Sequence, residues 1–354
     1  MIYQTSAMVM RAAGGPEVLE YRAITLPWDA AGRDVLVRLA VAGVNPADAY
    51  FRGFGPYIGD AGGCVLGHDG AGVVQAVGQG TSGFAPGDRV CFCHGGVGGA
   101  AGTYAEHAVV PSDCLVKVPD TVSLEDAAAC ALVFITGWEA LVERAGIAAG
   151  DLVLIHGGAG GTGQMATQIA RALGARVATT VSSPHKAALS QAAGAERTIL
   201  YKDQDFVAAV DDWTAGQGVK AVLDNIGGDG FLNSLRVLQP YGHIVTLMGT
   251  SGDLPDGTAY NANLTIHNVM MLTPMWKGLT PHLRRQADIL RRAMAWLADG
   301  TIFVRIADRF PLLQAANAHR QLESAGGSGK IVLTIARPEQ FARTEQVGKS
   351  GSQS

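Results

Sequence analysis

One stretch constrains this chain more than any other: Asp151-Leu-Val-Leu-Ile-His-Gly-Gly-Ala-Gly-Gly-Thr-Gly-Gln-Met-Ala-Thr-Gln-Ile-Ala-Arg-Ala-Leu-Gly174. Leu152 to Ile155 reads as a buried strand, and Gly158, Gly160 and Gly163 follow it in G-x-G-x-x-G spacing, with Gly161 and Thr162 inside the turn. Without a Cβ at those positions the chain can turn tightly and approach a pyrophosphate, whose charge meets the free N–H groups and positive end of the next helix. On that helix Met165, Ile169 and Leu173 recur every four residues, an apolar stripe suited to packing on a sheet. A second strand is expected at Arg176 to Val181. Strand, glycine turn, helix and strand together make a dinucleotide-binding βαβ unit of a doubly wound parallel sheet, where the glycine spacing alone would carry little weight.

The cofactor can be read further. An NAD site usually carries Asp or Glu at the end of the second strand to hold the ribose 2′-OH. Here that position reads Thr179-Thr-Val-Ser-Ser-Pro-His-Lys186. No carboxylate stands there to repel a 2′-phosphate, Ser182 and Ser183 can donate hydrogen bonds, and Lys186 brings positive charge, although a solvated helix lysine would look the same. NADP(H) is therefore the expected cofactor. Tyr201 and Lys202, after a strand expected at Thr198 to Leu200, can close over the same phosphate.

Composition excludes several classes. With 48% apolar and 16% charged residues the 354-residue chain has the make-up of a globular protein of about two domains, not of a disordered one. Its 27 basic and 31 acidic side chains leave a net charge of −4, so no basic footprint points to nucleic acid. The longest apolar run, Ala127 to Ile135, is far short of the roughly 20 residues a membrane helix needs, and the first residues lack a basic leader pattern. Five scattered cysteines fit a reducing compartment, and the cytoplasm is the expected location.

Texture divides the chain. Short β-rich runs (Val35 to Val41, Gly72 to Val77, Arg89 to Phe92, Tyr104 to Val110) alternate with Gly and Pro over the first 120 residues, with no long helix expected. From about Ser123 helical stretches alternate with strands at 152–155, 176–181, 221–223 and 243–248. A helix is expected from Leu283 to Asp299 with Gly300 ending it, then a last strand at Lys330 to Ile335. The expected layout is a first part at 1–124, a dinucleotide-binding domain at 125–275, a return segment at 276–336 and a disordered polar tail at 337–354.

The motifs Ala42-Gly-Val-Asn-Pro-Ala-Asp48 with Tyr50 and Arg52, Gly67-His-Asp-Gly-Ala-Gly-Val-Val74, Gly87-Asp-Arg-Val90, Gly102-Thr-Tyr-Ala-Glu106, Asp224-Asn-Ile-Gly227 and Gly329-Lys-Ile-Val332 stand in this order around the glycine loop. With them the chain, over about residues 7 to 335, resembles the medium-chain dehydrogenase/reductase superfamily, and within it the zinc-independent, zeta-crystallin-like quinone oxidoreductase group. The resemblance implies an α/β protein. Its GroES-like, β-rich catalytic domain would be made of the N-terminal part and the C-terminal segment, enclosing a Rossmann domain, with the active site in the cleft between them and a homodimer or homotetramer as the assembly.

The same resemblance bears on metal. Zinc alcohol dehydrogenases have a Cys where this chain has Asn45 and Gly-His-Glu where it has Gly67-His68-Asp69, and Cys130 lies further before Thr136 than their remaining ligand would. A thiolate replaced by an amide speaks against zinc. Cys91-Phe-Cys93-His94 invites a metal reading, but the loop after it is nearly all Gly, Ala and Val.

Among quinone reductases of this group the residues matching Asn45, Asp48, Tyr50 and Arg52 line the nicotinamide side of the cleft. Asn45 and Tyr50 would act as neutral donors and Arg52 as a cationic fork that Asp48 holds in place, with a purely structural Asp48–Arg52 pair as the alternative. Tyr57 stands near the proton-donating Tyr of mitochondrial-type 2-enoyl thioester reductases, or else covers the cleft rim. The resemblance further implies Thr136, Asn225 and Gly249 near the nicotinamide and Lys330 near the adenosine phosphate. The expected function is reduction of quinones or conjugated carbonyls with NADPH and without zinc. Competing readings are a 2-enoyl thioester reductase, a zinc-type alcohol dehydrogenase, and a non-enzymatic structural or RNA-binding role. The loops Gly53 to Cys64, Gly95 to Gly102 and Gly252 to Asn263 would shape the substrate pocket.

Overall fold

The computed structural model describes residues 1–250, 257–324 and 327–335; the tail expected to be disordered and residues 252–256 of the third pocket loop lie outside the described residues. In chain order the strands are β1 (Ile2–Met10), β2 (Leu19–Pro27), β3 (Asp34–Val44), β4 (Asp69–Val77), β5 (Arg89–Cys93), β6 (His107–Pro111), β7 (Leu115–Lys117), β8 (Leu152–Ile155), β9 (Arg176–Val181), β10 (Arg197–Leu200), β11 (Val219–Asp224), β12 (Leu238–Thr246), β13 (Thr265–Asn268), β14 (Ile306–Pro311) and β15 (Lys330–Thr334). The helices are α1 (Pro46–Phe54), α2 (Leu124–Trp138), α3 (Gly161–Ala172), α4 (Pro184–Ala192), α5 (Phe206–Thr214), α6 (Gly228–Ser234), α7 (Thr258–Asn261), α8 (Thr273–Lys277), α9 (Thr280–Ala298) and α10 (Ala315–Glu323).

The chain forms two units, one of residues 1–132, 272–298 and 306 onward, the other of 133–271 and 299–305. The boundary expected at 124 coincides with the first residue of α2, and the division lies eight residues later, within that helix. Residues 299–305, expected in the return segment, join the second unit for a visible reason. The Gln168 side chain of α3 donates to Phe303 O at 3.1 Å and accepts from Phe303 N at 2.9 Å, and Arg171 donates to Thr301 O.

The second unit is a six-stranded, wholly parallel sheet in the order β10-β9-β8-β11-β12-β13. Alternate residues of its strands serve two cores. Val153, Ile155, Ala221 and Leu223 pack on one face, Leu154, Ala178 and Val222 on the other, as a sheet covered by helices on both sides requires. Strand order reverses between β8 and β11, where open α/β sheets bind ligands at the carboxyl ends of their strands.

The first unit is built around β3, whose 11 residues pair with β4, β6 and β15. Its core of Val35, Val37, Leu39, Val74, Val90, Phe92 and Leu115 is closed by Leu283 of α9. Two elements stand outside the runs read from the sequence. β1 and β2 form a separate antiparallel pair, and α1 inserts nine helical residues. The start of α1 has a physical cause: Pro46 occupies its first turn, and the Asp48 carboxylate accepts from the Asn45 N–H at 2.7 Å, satisfying a backbone donor that the helix leaves over.

Candidate active site

The glycine loop follows β8 and runs directly into α3, whose N-cap, Gly160, has no side-chain cap. Its shape depends on missing side chains. A Cβ on Gly163 would lie 2.2 Å from Gly157 O, and one on Gly158 would lie 2.5 Å from Thr179 Cβ and 2.7 Å from Ser190 Oγ. The helix thus begins with backbone N–H groups and only the Thr162 side chain in its first turn, an arrangement suited to an anion such as a pyrophosphate. Met165 and Ile169 are buried on the sheet as expected.

Neighbouring strand ends complete this edge. Gly158 N donates to Thr180 O at 3.1 Å, two residues before Ser182. Ser183 caps α4 by accepting from Lys186 N, and its hydroxyl hydrogen remains to be donated. β9 pairs with β10 up to Val181 and Leu200, so Ser182, Ser183 and Lys186 share an edge with half-exposed Tyr201. Asn225 follows β11, across the reversal of strand order. Its Nδ2 donates to His156 O at 2.8 Å at the base of the glycine loop, while its buried Oδ1 has no partner. Gly249 has open space on its Cβ side and φ of +77°, and Thr136 is buried in α2. The glycine cradle and the orphaned Asn225 oxygen fit a dinucleotide. Sequence reasoning missed His156, whose ring lies between Thr180 Oγ1 (2.9 Å) and Ser234 Oγ (2.8 Å) and which burial pushes down to about 4.

The residues expected to line the catalytic side divide into two sets. Asn45, Asp48 and Arg52 are buried and committed to protein partners. Asn45 Nδ2 donates to Asp69 Oδ1 at 2.7 Å, and its Oδ1 accepts from Lys330 Nζ. The Asp48 carboxylate accepts from the N–H groups of Asn45 and Gly67 and lies 3.4 Å from His68 Nε2; burial pushes this carboxyl above its usual range, against the pull of His68. Asp48 does not hold Arg52. The guanidinium turns instead to Gly14 O (3.0 Å), His319 Nδ1 (3.1 Å) and Glu323 Oε1 (2.5 Å), because α10 brings an acceptor carboxylate to its fork. His319 in turn contacts Tyr104 Oη at 3.0 Å. Arg52 is thus spent as a fork for substrate.

Lys330 also departs from expectation. It is 4% exposed, and its Nζ sits on Asn45 and 3.6 Å from Asp69 Oδ2, engaged by a carboxylate and an amide rather than free for an adenosine phosphate. The aromatic hydroxyls form the other set. Tyr50 and Tyr57 are about half exposed and flank Phe51, and Tyr57 packs on Trp276 with ring centroids 4.1 Å apart. Partial burial, then Tyr50 nearby, raises the Tyr57 phenol above its usual range. Trp276 carried no motif and could not be singled out from sequence.

Two family models match: "Alcohol dehydrogenase GroES-like domain" over residues 31–120 and "Zinc-binding dehydrogenase" over residues 193–333. A quinone oxidoreductase of Pseudomonas aeruginosa is 35% identical over 331 residues, covering 91% of this chain and 97% of the relative. The chain belongs to the quinone oxidoreductase group of the medium-chain dehydrogenase/reductase superfamily. A 2-haloacrylate reductase of a Burkholderia species is 31% identical over 338 residues, 92% of this chain and 98% of the relative. Mycobacterial Rv1454c, solved with NADPH, superposes with a TM-score of 0.81 at 31% identity over 93% of this chain and 99% of the other.

Membership makes a dehydrogenase fold with a nicotinamide cofactor the setting of the site, and the GroES-like and Rossmann assignments hold. The zinc in one family description does not suit these residues. Among the described residues no group of three His, Cys, Asp or Glu side chains is arranged to hold a metal, and the Lys330 amine stands against Asn45 and Asp69. No helix among them is long and apolar enough to cross a membrane.

Proposed function

We propose that this protein is an NADPH-dependent, zinc-independent reductase of quinones or activated alkenes. The observation that carries the reading is the edge at the ends of β8 and β9. The cradle of Gly158, Gly160, Gly161, Thr162 and Gly163 lies beside Ser182, Ser183 and Lys186, and no carboxylate follows β9 to claim a ribose 2′-OH. Tyr201 borders the same edge. Asn225, Gly249 and Thr136 are proposed to serve the nicotinamide half.

The bound nicotinamide supplies the hydride. The protein's task is to orient it, keep water away and stabilise the charge that develops on an acceptor oxygen. Tyr50 and Tyr57 carry the hydroxyls still free to donate to that oxygen, whereas Asn45, Asp48 and Arg52 act by holding α1 and its flanks. A conjugated acceptor delocalises the incoming charge onto an oxygen that hydrogen bonds can reach. The names of the relatives agree in kind, since a quinone and a 2-haloacrylate are both electron-poor conjugated acceptors. Location in the cytoplasm and a homodimer or homotetramer belong to the same reading, and sedimentation of the purified protein checks the assembly.

The test is NADPH and NADH oxidation against a panel of quinones, enones, enoyl thioesters and simple ketones. Turnover of a quinone or enone, faster with NADPH, is expected. Reduction of simple ketones with no turnover of any conjugated acceptor would sink the reading.

A further inference from the structure

Exposed aromatic rings gather in one place on the first unit. Phe54, Tyr50 and Tyr57 are 78%, 50% and 45% exposed, and Trp276 is partly buried beside Tyr57. The ring centroids follow one another as a strip: Phe54 to Tyr50 at 4.9 Å, Tyr50 to Phe51 at 5.7 Å, Phe51 to Tyr57 at 4.9 Å and Tyr57 to Trp276 at 4.1 Å. Phe54, Tyr50 and Phe51 come from α1, Tyr57 from the loop after it, and Trp276 from α8, all within the first unit. Backbone contacts hold the middle of the strip. Tyr57 N and Ile58 N both donate to Val97 O, at 3.0 and 3.2 Å. A Cβ on Gly98 would lie 1.8 Å from Ile58 O, so the two loops touch only because that residue has no side chain. Beneath them Phe51 is buried and stands edge-on to the His68 ring. Surfaces rarely gather exposed apolar groups in this way, and a binding site is the usual reason.

Charge narrows what the strip accepts. The segments that build it, residues 46–64, 95–102 and 273–278, contain two basic side chains, Arg52 and Lys277. Arg52 is engaged by Glu323 and His319, and Lys277 follows Trp276 about 100° further round α8, at the end of that helix. Asp60 adds a negative charge to the loop that carries Tyr57. A carboxylate laid on these rings would lose water and gain no cation in return. A neutral flat ring loses little, and each fused ring it carries adds apolar area and a face to stack. We propose that Trp276 is a specificity-determining residue, and that with Tyr57 it selects an uncharged acceptor of fused rings over a small alkene bearing a carboxylate. The 2-haloacrylate in the name of the Burkholderia relative is an anion of the second kind. This selection rests on the reductase reading above and divides the two kinds of conjugated acceptor that the reading leaves together.

Equilibrium dialysis of the full chain with NADP⁺ and no reductant reads acceptor binding apart from turnover. The ligands are menadione, with two fused rings, toluquinone, with one, and the pair methyl naphthoate and naphthoate, which differ in charge. Wild type should bind menadione more tightly than toluquinone, and methyl naphthoate at least about fivefold more tightly than naphthoate. Trp276→Leu keeps apolar bulk and loses the ring, so menadione should bind about fivefold more weakly and toluquinone should change less, whereas Trp276→Phe should stay within about twofold of wild type. Naphthoate held by wild type as tightly as its ester would overturn the proposal, as would a folded Trp276→Leu that holds menadione like wild type. The comparison of acid with ester needs no variant, so it decides the matter should Trp276→Leu not fold. The expected binding pattern without reduction of any quinone or enone would sink the reductase reading and still support the strip as a surface for neutral rings.

Discussion

The glycine edge of the second unit and the buried cluster of the first are built on opposite principles. The loop at that edge is made of backbone and of missing side chains, and its parts lie between Leu152 and Ala172. The cluster is made of side chains from β4, β15 and the start of α1, and one of its bonds spans 285 positions. A local site can be destroyed by one added methyl group. A distributed site shares its load among hydrogen bonds and charges, and is best probed by changing charge.

The largest effect should come from the local site. Gly163→Val places carbon atoms against Gly157 O, where even a Cβ would be 2.2 Å away, and NADPH binding should fall below detection by fluorescence titration. If the variant binds NADPH normally, the loop is not the cradle and the comparison breaks.

Next in size is the response of buried polar networks to acid. Burial lowers His94, His156 and His319 each to about 4, with Arg52 adding to the effect on His319. The unfolded chain takes up these protons near 6.5 and the folded chain only near 4, so stability is present above that window and is lost as pH falls through it. The slope is at most about 1.4 kcal/mol per pH unit for each histidine, several kcal/mol in all. Glu323, lowered by its bond to Arg52, acts in the same direction at lower pH. Urea midpoints between pH 7 and 4 should fall accordingly, and His319→Gln should flatten part of the slope. A flat profile would mean that these rings are not held neutral.

The two exposed phenols sharpen the functional half. Tyr50→Phe and Tyr57→Phe keep the rings on Phe51 and remove only a donor. The one that serves the developing oxyanion should lose about 2.7 to 4 kcal/mol in kcat with NADPH affinity unchanged. Unchanged kcat in both would shift the role to another group. Smallest is Lys186→Ala, which should weaken NADPH by about tenfold, roughly 1.4 kcal/mol, and leave NADH alone. Equal losses for both cofactors would show that Lys186 does not read the 2′-phosphate.

Legibility followed the same division. The strands Leu152–Ile155 and Arg176–Val181 stand where apolar runs and glycines put them, and the long helix expected from Leu283 begins three residues earlier, at Thr280. The helix α1 was passed over although its signal was present, with Asn45 before Pro46 and Asp48 at the third helical position. That Ser182 and Ser183 follow β9 and that no carboxylate stands there was also legible, because it depends only on which residues follow one strand. Arg52 was readable as a residue of note but not in its role, since Glu323 lies 271 positions away and nothing near Arg52 announces it.

By itself the sequence determined the dinucleotide loop, the parallel sheet around it and the family, because these rest on local periodicity, on glycine sterics and on motifs in fixed order. Only the tertiary structure decided that Arg52 faces α10, that Tyr57 rests on Trp276 and that Lys330 enters the Asn45–Asp69 pair. Those outcomes depend on packing between segments hundreds of residues apart, and the last of them on the register of β15 against β3. A shift of one residue there turns every side chain to the other face of the sheet.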